Sequence, residues 1–480
     1  MGLIVLLVLL FNSCNSAVKE DENETWPENI QTIIDNTNYL EFDRGTRLPL
    51  YLWPAIDPGA VDANTAEAIV KELDKRGVGV VCSWKLKDLD ESLSRGIIIA
   101  KAQKKFGLRV NIDATSLLYG FYNGEDSTAH IDSRGNRFFD DSFGTGHKMG
   151  CPFILDSRKD EIRRRVEYCL KSYKDQGLQI DFIFADWEID GPIEVNSAYE
   201  SSGRCVRCRE HLGEDFGFEK FQETMRQMRA YLQHYSYSSP VLSYFPDALV
   251  GNYAVYPNDG YRYWYDYFEF FNDIHPHKTE QKAHYRKWFN DFPLTGYTFA
   301  MPVIYPWKQI YYWYDFDNTD YRWFYNMLMN AGNAGKSTPH NIPVISFVHY
   351  NTVFAGSEFD PAVKQMSRET YRELLWHMLL RGTDTFFMWS GKKEFAEETR
   401  LLHEVYSAAQ EYGDFLDQGV PVIFDIPDKP GVVISGLALG DKVLVRRTDF
   451  NTGHRPVEVL AGTKIITVNY MPGVCQIIDN

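Results

Sequence analysis

The sequence predicts an α/β fold, a (β/α)8 TIM barrel followed by a small C-terminal all-β domain. Three observations predict it. Eight short apolar runs alternate with stretches of helical periodicity over residues 48–415, at lengths that fit βα units. No Gly-rich dinucleotide or phosphate loop follows the first run, which argues against a doubly wound open sheet. From about Gly419 the pattern changes to short runs separated by Gly, Asp and Pro, as in an antiparallel β unit of roughly 60 residues. The expected organisation is a signal peptide over 1–13, an acidic leader over 14–44, the barrel over 45–417 and the β domain over 418–480.

The elements follow in order. A first apolar run over 48–56 precedes helical periodicity over 63–76 and a strand pattern over 78–84. A helix over 91–106 leads to a third strand over 108–113. Ser157 and Asp160 stand at capping-box spacing at the start of a helix that ends near Gly177. The fourth strand, 178–185, comes next. A helix over 219–233 precedes a fifth strand read over 240–247, and a helix over 279–289 precedes a sixth over 298–305. The last units are a helix over 321–331 with strand 342–350, a helix over 369–381 with strand 383–389, and a closing helix over 395–415.

The fourth run ends in Asp186-Trp187-Glu188. Alternate residues of a strand share a face, so Asp186 and Glu188 project together while Trp187 points away, their Cβ atoms roughly 6–7 Å apart. Two carboxylates that close are coupled, which raises one pKa and leaves a proton donor beside an ionised partner. Glycosidic bond cleavage uses such a pair. In a (β/α)8 barrel the active site is built at the C-terminal ends of the strands. Those positions carry Asp57, Trp84 with Lys85, Asp113, Asp247, Tyr305 with Trp307, His349 with Asn351, and Trp389. Acids, amides and aromatic faces together suit a sugar cleft, with aromatic planes for ring faces and polar groups for hydroxyls. Plainer roles exist for several: a turn for Asp57, a cap for Asp113, a satisfied core ring for His349 and barrel packing for Trp389.

Composition agrees with that direction. Tyr and Trp contribute 30 and 11 residues, a surplus suited to stacking on sugars although most aromatics are core. A net charge of -16 argues against a nucleic-acid partner. Lys85, Lys308, Lys392 and Lys393 near strand ends would permit, without requiring, subsites for anionic sugars.

Asp-Trp-Glu at strand four, Tyr305 near strand six and Trp389 at the end of strand eight resemble the clan of barrel glycosidases that contains chitinases and hyaluronidases. The resemblance implies a glycoside hydrolase, retaining rather than inverting, with Glu188 as general acid/base. It implies that Asp186 orients a substrate acetamido group, which Tyr305 supports. The longer chitinase signature is incomplete, since Asp181 and Asp186 do not reproduce its spaced aspartates. The second carboxylate therefore stays open among Asp186, Asp247 and Asp113. No Glu ends strand seven, Glu358 lying beyond it. The expected partner is a polysaccharide or oligosaccharide, cleaved by endo-action, with no cofactor and no metal; a non-catalytic glycan-binding protein on the same scaffold is the alternative.

The first 11 residues are apolar and too short to span a bilayer. Ser13-Cys14 resembles the lipobox of bacterial lipoproteins, and the acidic stretch after it resembles the export signal of surface-exposed outer-membrane lipoproteins. The expectation is an exported protein that touches a membrane only through a lipid anchor at Cys14. Cys205-Val-Arg-Cys208 with His211 has metal-ligand spacing but no matching second pair. For an exported chain, a local disulfide or two free thiols is the expectation. A metal-dependent polysaccharide-modifying enzyme using Cys205, Cys208 and His211 is a further alternative.

Overall fold

The computed structural model describes residues 26–53, 59, 61–118, 124–140, 148–154, 156–187, 198–257, 292–314, 316–354 and 359–479. Eight parallel strands form its core: β1 (Leu50–Trp53), β2 (Val78–Gly79 continuing as Val81–Ser83), β3 (Asn111–Asp113), β4 (Phe182–Ala185), β5 (Leu249–Asn252), β6 (Val303–Ile304), β7 (Ile345–Val348) and β8 (Thr385–Trp389). They pair in the order β6-β7-β8-β1-β2 and β2-β3-β4-β5, the two sheets sharing the bent second strand. No ladder joins β5 to β6 among the described residues. Two backbone hydrogen bonds reach across instead, Thr298 N to Val250 O at 2.9 Å and Met301 N to Val255 O at 3.0 Å. The result is a barrel-like parallel core.

Helices follow the strands as the apolar periodicity requires: α1 (Ala63–Asp74), α2 (Leu89–Lys105), α3 (Asp156–Asp175), α4 (Phe218–Gln233), α5 (Thr319–Ser337), α6 (Arg368–Leu379) and α7 (Phe395–Ala409). Asp62, Asn318 and Ser367 cap α1, α5 and α6 by accepting from the backbone N–H three residues on. Within residues 26–44, expected as leader, Glu28–Asp35 is a helix whose Ile30 and Ile33 are fully buried in the main core. The helix expected over 279–289 lies outside the described residues, as do Asp57, Glu188, Glu358 and the N-terminal segment with Cys14.

The fifth strand departs from expectation. Residues 239–244 are helical, and the strand is Leu249–Asn252. Tyr237, Val241 and Phe245 recur at a spacing of four and are all fully buried, the stripe of a helix packed on the barrel. Its short apolar run looks like a strand in isolation because length alone does not separate the two.

Alternation along the strands sends aromatic rings into the barrel. Tyr51 of β1 stacks on Phe182 of β4 with centroids 4.3 Å apart, and Phe184 lies 4.3 Å from Phe387 of β8. Such pairs contribute about 0.5–1.5 kcal/mol each beyond their buried area. Gly251 makes room for this filling: a Cβ there would meet the Phe299 ring at 2.6 Å, and Phe299 in turn stacks on Phe182. At the opposite, N-terminal ends of the strands, Asp181 accepts from Val110 N and Asp384 from Val344 N. Burial raises both carboxyl pKa values, that of Asp384 to about 6.

The C-terminal part is antiparallel, as the change of pattern predicts. β9 (Val420–Ile423), β10 (Val432–Leu439), β11 (Lys442–Asp449) and β14 (Cys475–Asp479) form one sheet, and β12 (Val457–Ala461) with β13 (Lys464–Val468) a hairpin. Helix α6 faces this sheet. Arg381 donates to Ser435 Oγ and to the Phe424 and Asp425 carbonyls, while Arg446 pairs with Glu373. His377 bridges Ser435 and Thr448 hydroxyls at 2.8 and 3.0 Å. These bonds satisfy polar groups that burial would otherwise penalise.

Candidate functional site

The C-terminal strand ends gather a polar and aromatic mouth. In β4, Phe182 and Phe184 face the barrel interior, so the same parity directs Asp186 inward and Trp187 outward. Trp187 is fully buried and Asp186 partly exposed. Two neighbouring strands hold this segment. The Asp186 amide donates to Thr115 Oγ1 at 2.8 Å, from the turn after β3. The Trp187 amide donates to Asn252 Oδ1 at 2.8 Å, and Asn252 Nδ2 returns a bond to the Trp187 carbonyl at 3.2 Å.

Asp113 ends β3, buried, with its carboxylate engaged by three donors. Trp53 Nε1 and Ser83 Oγ reach Oδ2, and the Thr115 amide reaches Oδ1, each at 2.9 Å. It acts as a brace that fixes the Trp53 ring at the end of β1, in register with Trp389 on β8. Tyr305 meets Tyr253 hydroxyl to hydroxyl at 2.8 Å, and its ring centroid lies 6.1 Å from Trp389 and 6.2 Å from His349. His349 and Trp389 are 4.5 Å apart. His349 Nδ1 lies 2.9 Å from both the Trp389 carbonyl and Glu398 Oε2. Glu398, fully buried in the first turn of α7, also accepts from the backbone amides of Tyr350 and Asn351 and from Asn351 Nδ2.

The fold thus brings together Asp113, Asp186, Tyr305, His349, Asn351 and Trp389 of the expected residues. Three expectations change. Asp247 is exposed and lies in the turn before β5, at the far end of the strand, because that strand begins at Leu249, two residues after Asp247 and beyond the expected run 240–247. Trp84 points into the helix layer, fully buried against Tyr173 of α3, since Ser83 occupies the inward position. Trp307 is buried, its backbone bridged to Val353 beyond β7. Of the lysines, Lys308 pairs with Asp360 and Lys392 with Glu28.

Thr115, Trp53, Asn252, Tyr253 and Glu398 were not anticipated. Trp53 was legible in principle, because it ends β1 as Trp389 ends β8. Asn252 and Tyr253 were hidden by the displaced fifth strand, and Glu398 sits on a helix where one more acid looks like a solvated face.

Of the two expected states of the Cys205–Cys208 pair, the thiols are free, and the partners gathered around them are not the expected His211. Cys205 and Cys208 are free thiols, not a disulfide, and both are fully buried. Their neighbours are Cys151, whose Sγ lies 3.9 Å from Cys205 and 3.7 Å from Cys208, and His130, whose Nδ1 lies 3.9 Å from Cys208 Sγ. The four ligand atoms all fall within 4.8 Å of one another. His211 is not among them. It is exposed, stacks on Phe153 and bonds the Arg207 carbonyl. Hydrogen bonding among the three sulfurs pulls the Cys205 thiol pKa down and pushes that of Cys208 up.

No family model matches the chain, and no curated protein matches it in sequence. Among solved structures it is similar to the α-L-fucosidase isoenzyme 2 of Paenibacillus thiaminolyticus, at 11% identity and a TM-score of 0.44, over 79% of this chain and 51% of that one. It is similar to a GH36 α-galactosidase of Geobacillus stearothermophilus at 12% identity and a TM-score of 0.43, over 92% and 56%. Bee venom hyaluronidase matches at 14% identity and a TM-score of 0.33, over 66% and 93%. The chain spans about half the length of the fucosidase it matches. Likeness at this level assigns no residue role.

Proposed function

We propose that the chain is a glycoside hydrolase whose site lies at the mouth of a full (β/α)8 barrel, closed through residues 298–301. Glu188 is the general acid/base, and Asp186 is its orienting or nucleophilic partner. One observation carries the reading: Asp186 follows β4 at an inward position, its backbone tied to Thr115 and its neighbour tied to Asn252. An inward carboxylate fixed from two sides, under a ring of Trp53, Tyr253, Tyr305 and Trp389, suits a bound sugar whose faces stack on aromatics and whose hydroxyls need acceptors.

In this mechanism Glu188 protonates the glycosidic oxygen as the bond to the anomeric carbon breaks, and the leaving sugar departs with that proton. Asp186 attacks the anomeric carbon, or orients a substrate acetamido group that does. Water then completes hydrolysis with Glu188 acting as base, with retention. Asp113 is not the second carboxylate, because three donors already hold it. The substrate is an extracellular polysaccharide cut by endo-action, reached by an exported, surface-exposed outer-membrane lipoprotein anchored at Cys14.

Glu188→Gln, nearly isosteric, should abolish release of reducing ends from a polysaccharide panel while leaving the urea unfolding midpoint unchanged. Turnover equal to wild type would remove the assignment. A glycan-binding protein without catalysis is the second reading, favoured by the full engagement of the described carboxylates Asp113 and Glu398 within the fold. Measurable glycan binding by the wild-type chain with no reducing ends released would move the conclusion there.

A further inference from the structure

We propose that His130, Cys151, Cys205 and Cys208 form a structural zinc site that stitches together the segments following β3 and β4. The proposal stands on geometry independent of the sugar chemistry. A tetrahedral zinc with Zn–S of about 2.3 Å and Zn–N of about 2.0–2.1 Å separates its sulfurs by about 3.8 Å and a sulfur from the nitrogen by about 3.6 Å. The sulfur pairs at 3.7 and 3.9 Å and the sulfur–Nδ1 contact at 3.9 Å match that shell. Three thiols packed without a metal have no reason to converge on one point with an imidazole.

The backbone builds the convergence deliberately. Cys205 immediately precedes the helix Val206–Leu212, so Cys208 returns to the same side one turn later. Cys151 is drawn in by its amide, which donates to the Thr128 carbonyl at 2.8 Å, two residues before His130. That approach requires Gly150, where a Cβ would lie 2.1 Å from the Thr128 oxygen. His130 is held in a short ribbon (His130–Ile131 with Arg137–Phe138), its ring stacked on Phe138 at 5.0 Å. Phe153, Phe216 and Leu212 close the surroundings, excluding the water that would compete for the ion.

Four protein ligands fill a tetrahedral shell and leave no position for water or substrate, so the ion's role is structural. Binding Zn2+ converts three thiols to thiolates, releasing three protons to solvent, with the imidazole neutral. Both ligand segments lie on the mouth side of the barrel: one follows Asp113 and Thr115, the other follows Asp186 and Trp187. The ion would therefore brace the two segments that begin at the candidate site. Ligation also shields these thiols from oxidation, which an exported chain would otherwise meet.

The test uses the full chain expressed with zinc supplementation. Mass spectrometric metal analysis should find about one zinc per chain, and Co2+ replacement should give the visible bands of a tetrahedral thiolate site. His130→Cys and His211→Ala should keep the metal, whereas His130→Ala and Cys208→Ser should lose it. Because those two variants could misfold, a strong chelator added to the wild-type chain provides a second measurement. It should lower Tm by several degrees, and zinc should restore it. Absence of stoichiometric zinc with an unchanged Tm on chelation would overturn the proposal. So would a native disulfide among Cys151, Cys205 and Cys208, or metal loss on His211→Ala alone.

Discussion

Trp187 and Asn252 are joined by two hydrogen bonds, main-chain N–H to side-chain oxygen at 2.8 Å and side-chain N–H to main-chain oxygen at 3.2 Å. The side-chain amide of Asn252, the last residue of β5, thus continues the β4–β5 ladder past the end of β4. This extension sets the direction in which the chain leaves β4, and with it where Asp186 projects.

Asn252→Ala should therefore cost stability and activity together. Both Asn252 and Trp187 are fully buried, so truncation strands a buried N–H and a buried carbonyl, a loss of about 2–4 kcal/mol. Urea unfolding measures the first effect. Turnover on the substrate found with the wild-type chain measures the second, and kcat should fall at least tenfold because misplacing a reacting group is costly. Asn252→Ala with wild-type kcat would show that the exit of β4 does not matter to the chemistry.

Asp113 invites a sharper comparison, since a carboxylate at a strand end could be a brace or a reactant. Asp113→Asn leaves only one acceptor oxygen for the three donors now served, and should cost about 2–3 kcal/mol. Trp53→Phe removes only one of those donors and should cost about 1 kcal/mol. As a brace, Asp113 loses stability first and activity in proportion, and Trp53→Phe reproduces part of both losses. Turnover abolished by Asp113→Asn with an unchanged unfolding midpoint would instead make it a reacting group.

Much of this architecture was legible in the sequence where period and position agreed. The alternation along Asp186, Trp187 and Glu188 separates Trp187 from the face that Asp186 occupies, and Tyr305 and Trp389 are legible from their places at strand ends. The reading failed where a short apolar run fitted two periods. Residues 240–247 suggested a strand, the chain formed a helix, and Asp247 moved from the mouth to the opposite end while Asn252 and Tyr253 took its place. It also failed for partners distant in sequence. Nothing near Cys205 announces Cys151 or His130, and nothing near His349 announces Glu398, because those pairings are made by the fold.

His377 and Asp384 should pull the pH profile of stability in opposite directions. Burial, with Arg381 and Arg446 close by, holds the His377 ring well below its ordinary value of 6.5. The unfolded chain takes up this proton near 6.5 and the folded chain does not, so stability present at neutral pH is lost as pH falls, by about 1.4 kcal/mol per unit. Asp384 has the reverse sign: burial raises its carboxyl from 3.8 to about 6 in the fold. Its contribution is complete below about pH 4 and is lost as pH rises to about 6, an effect of about 3 kcal/mol. Between about pH 4 and 6 the two slopes oppose each other. Relative to wild type, the stability of His377→Gln should decline as pH rises through that window, and that of Asp384→Asn, which keeps an acceptor for the Val344 amide, should climb. His403, also lowered by burial, acts equally in both variants and drops out of the difference curves. Urea unfolding of the three proteins across the window measures these slopes. A His377→Gln curve parallel to wild type would mean that the imidazole between α6 and the β sheet takes up its proton as readily folded as unfolded.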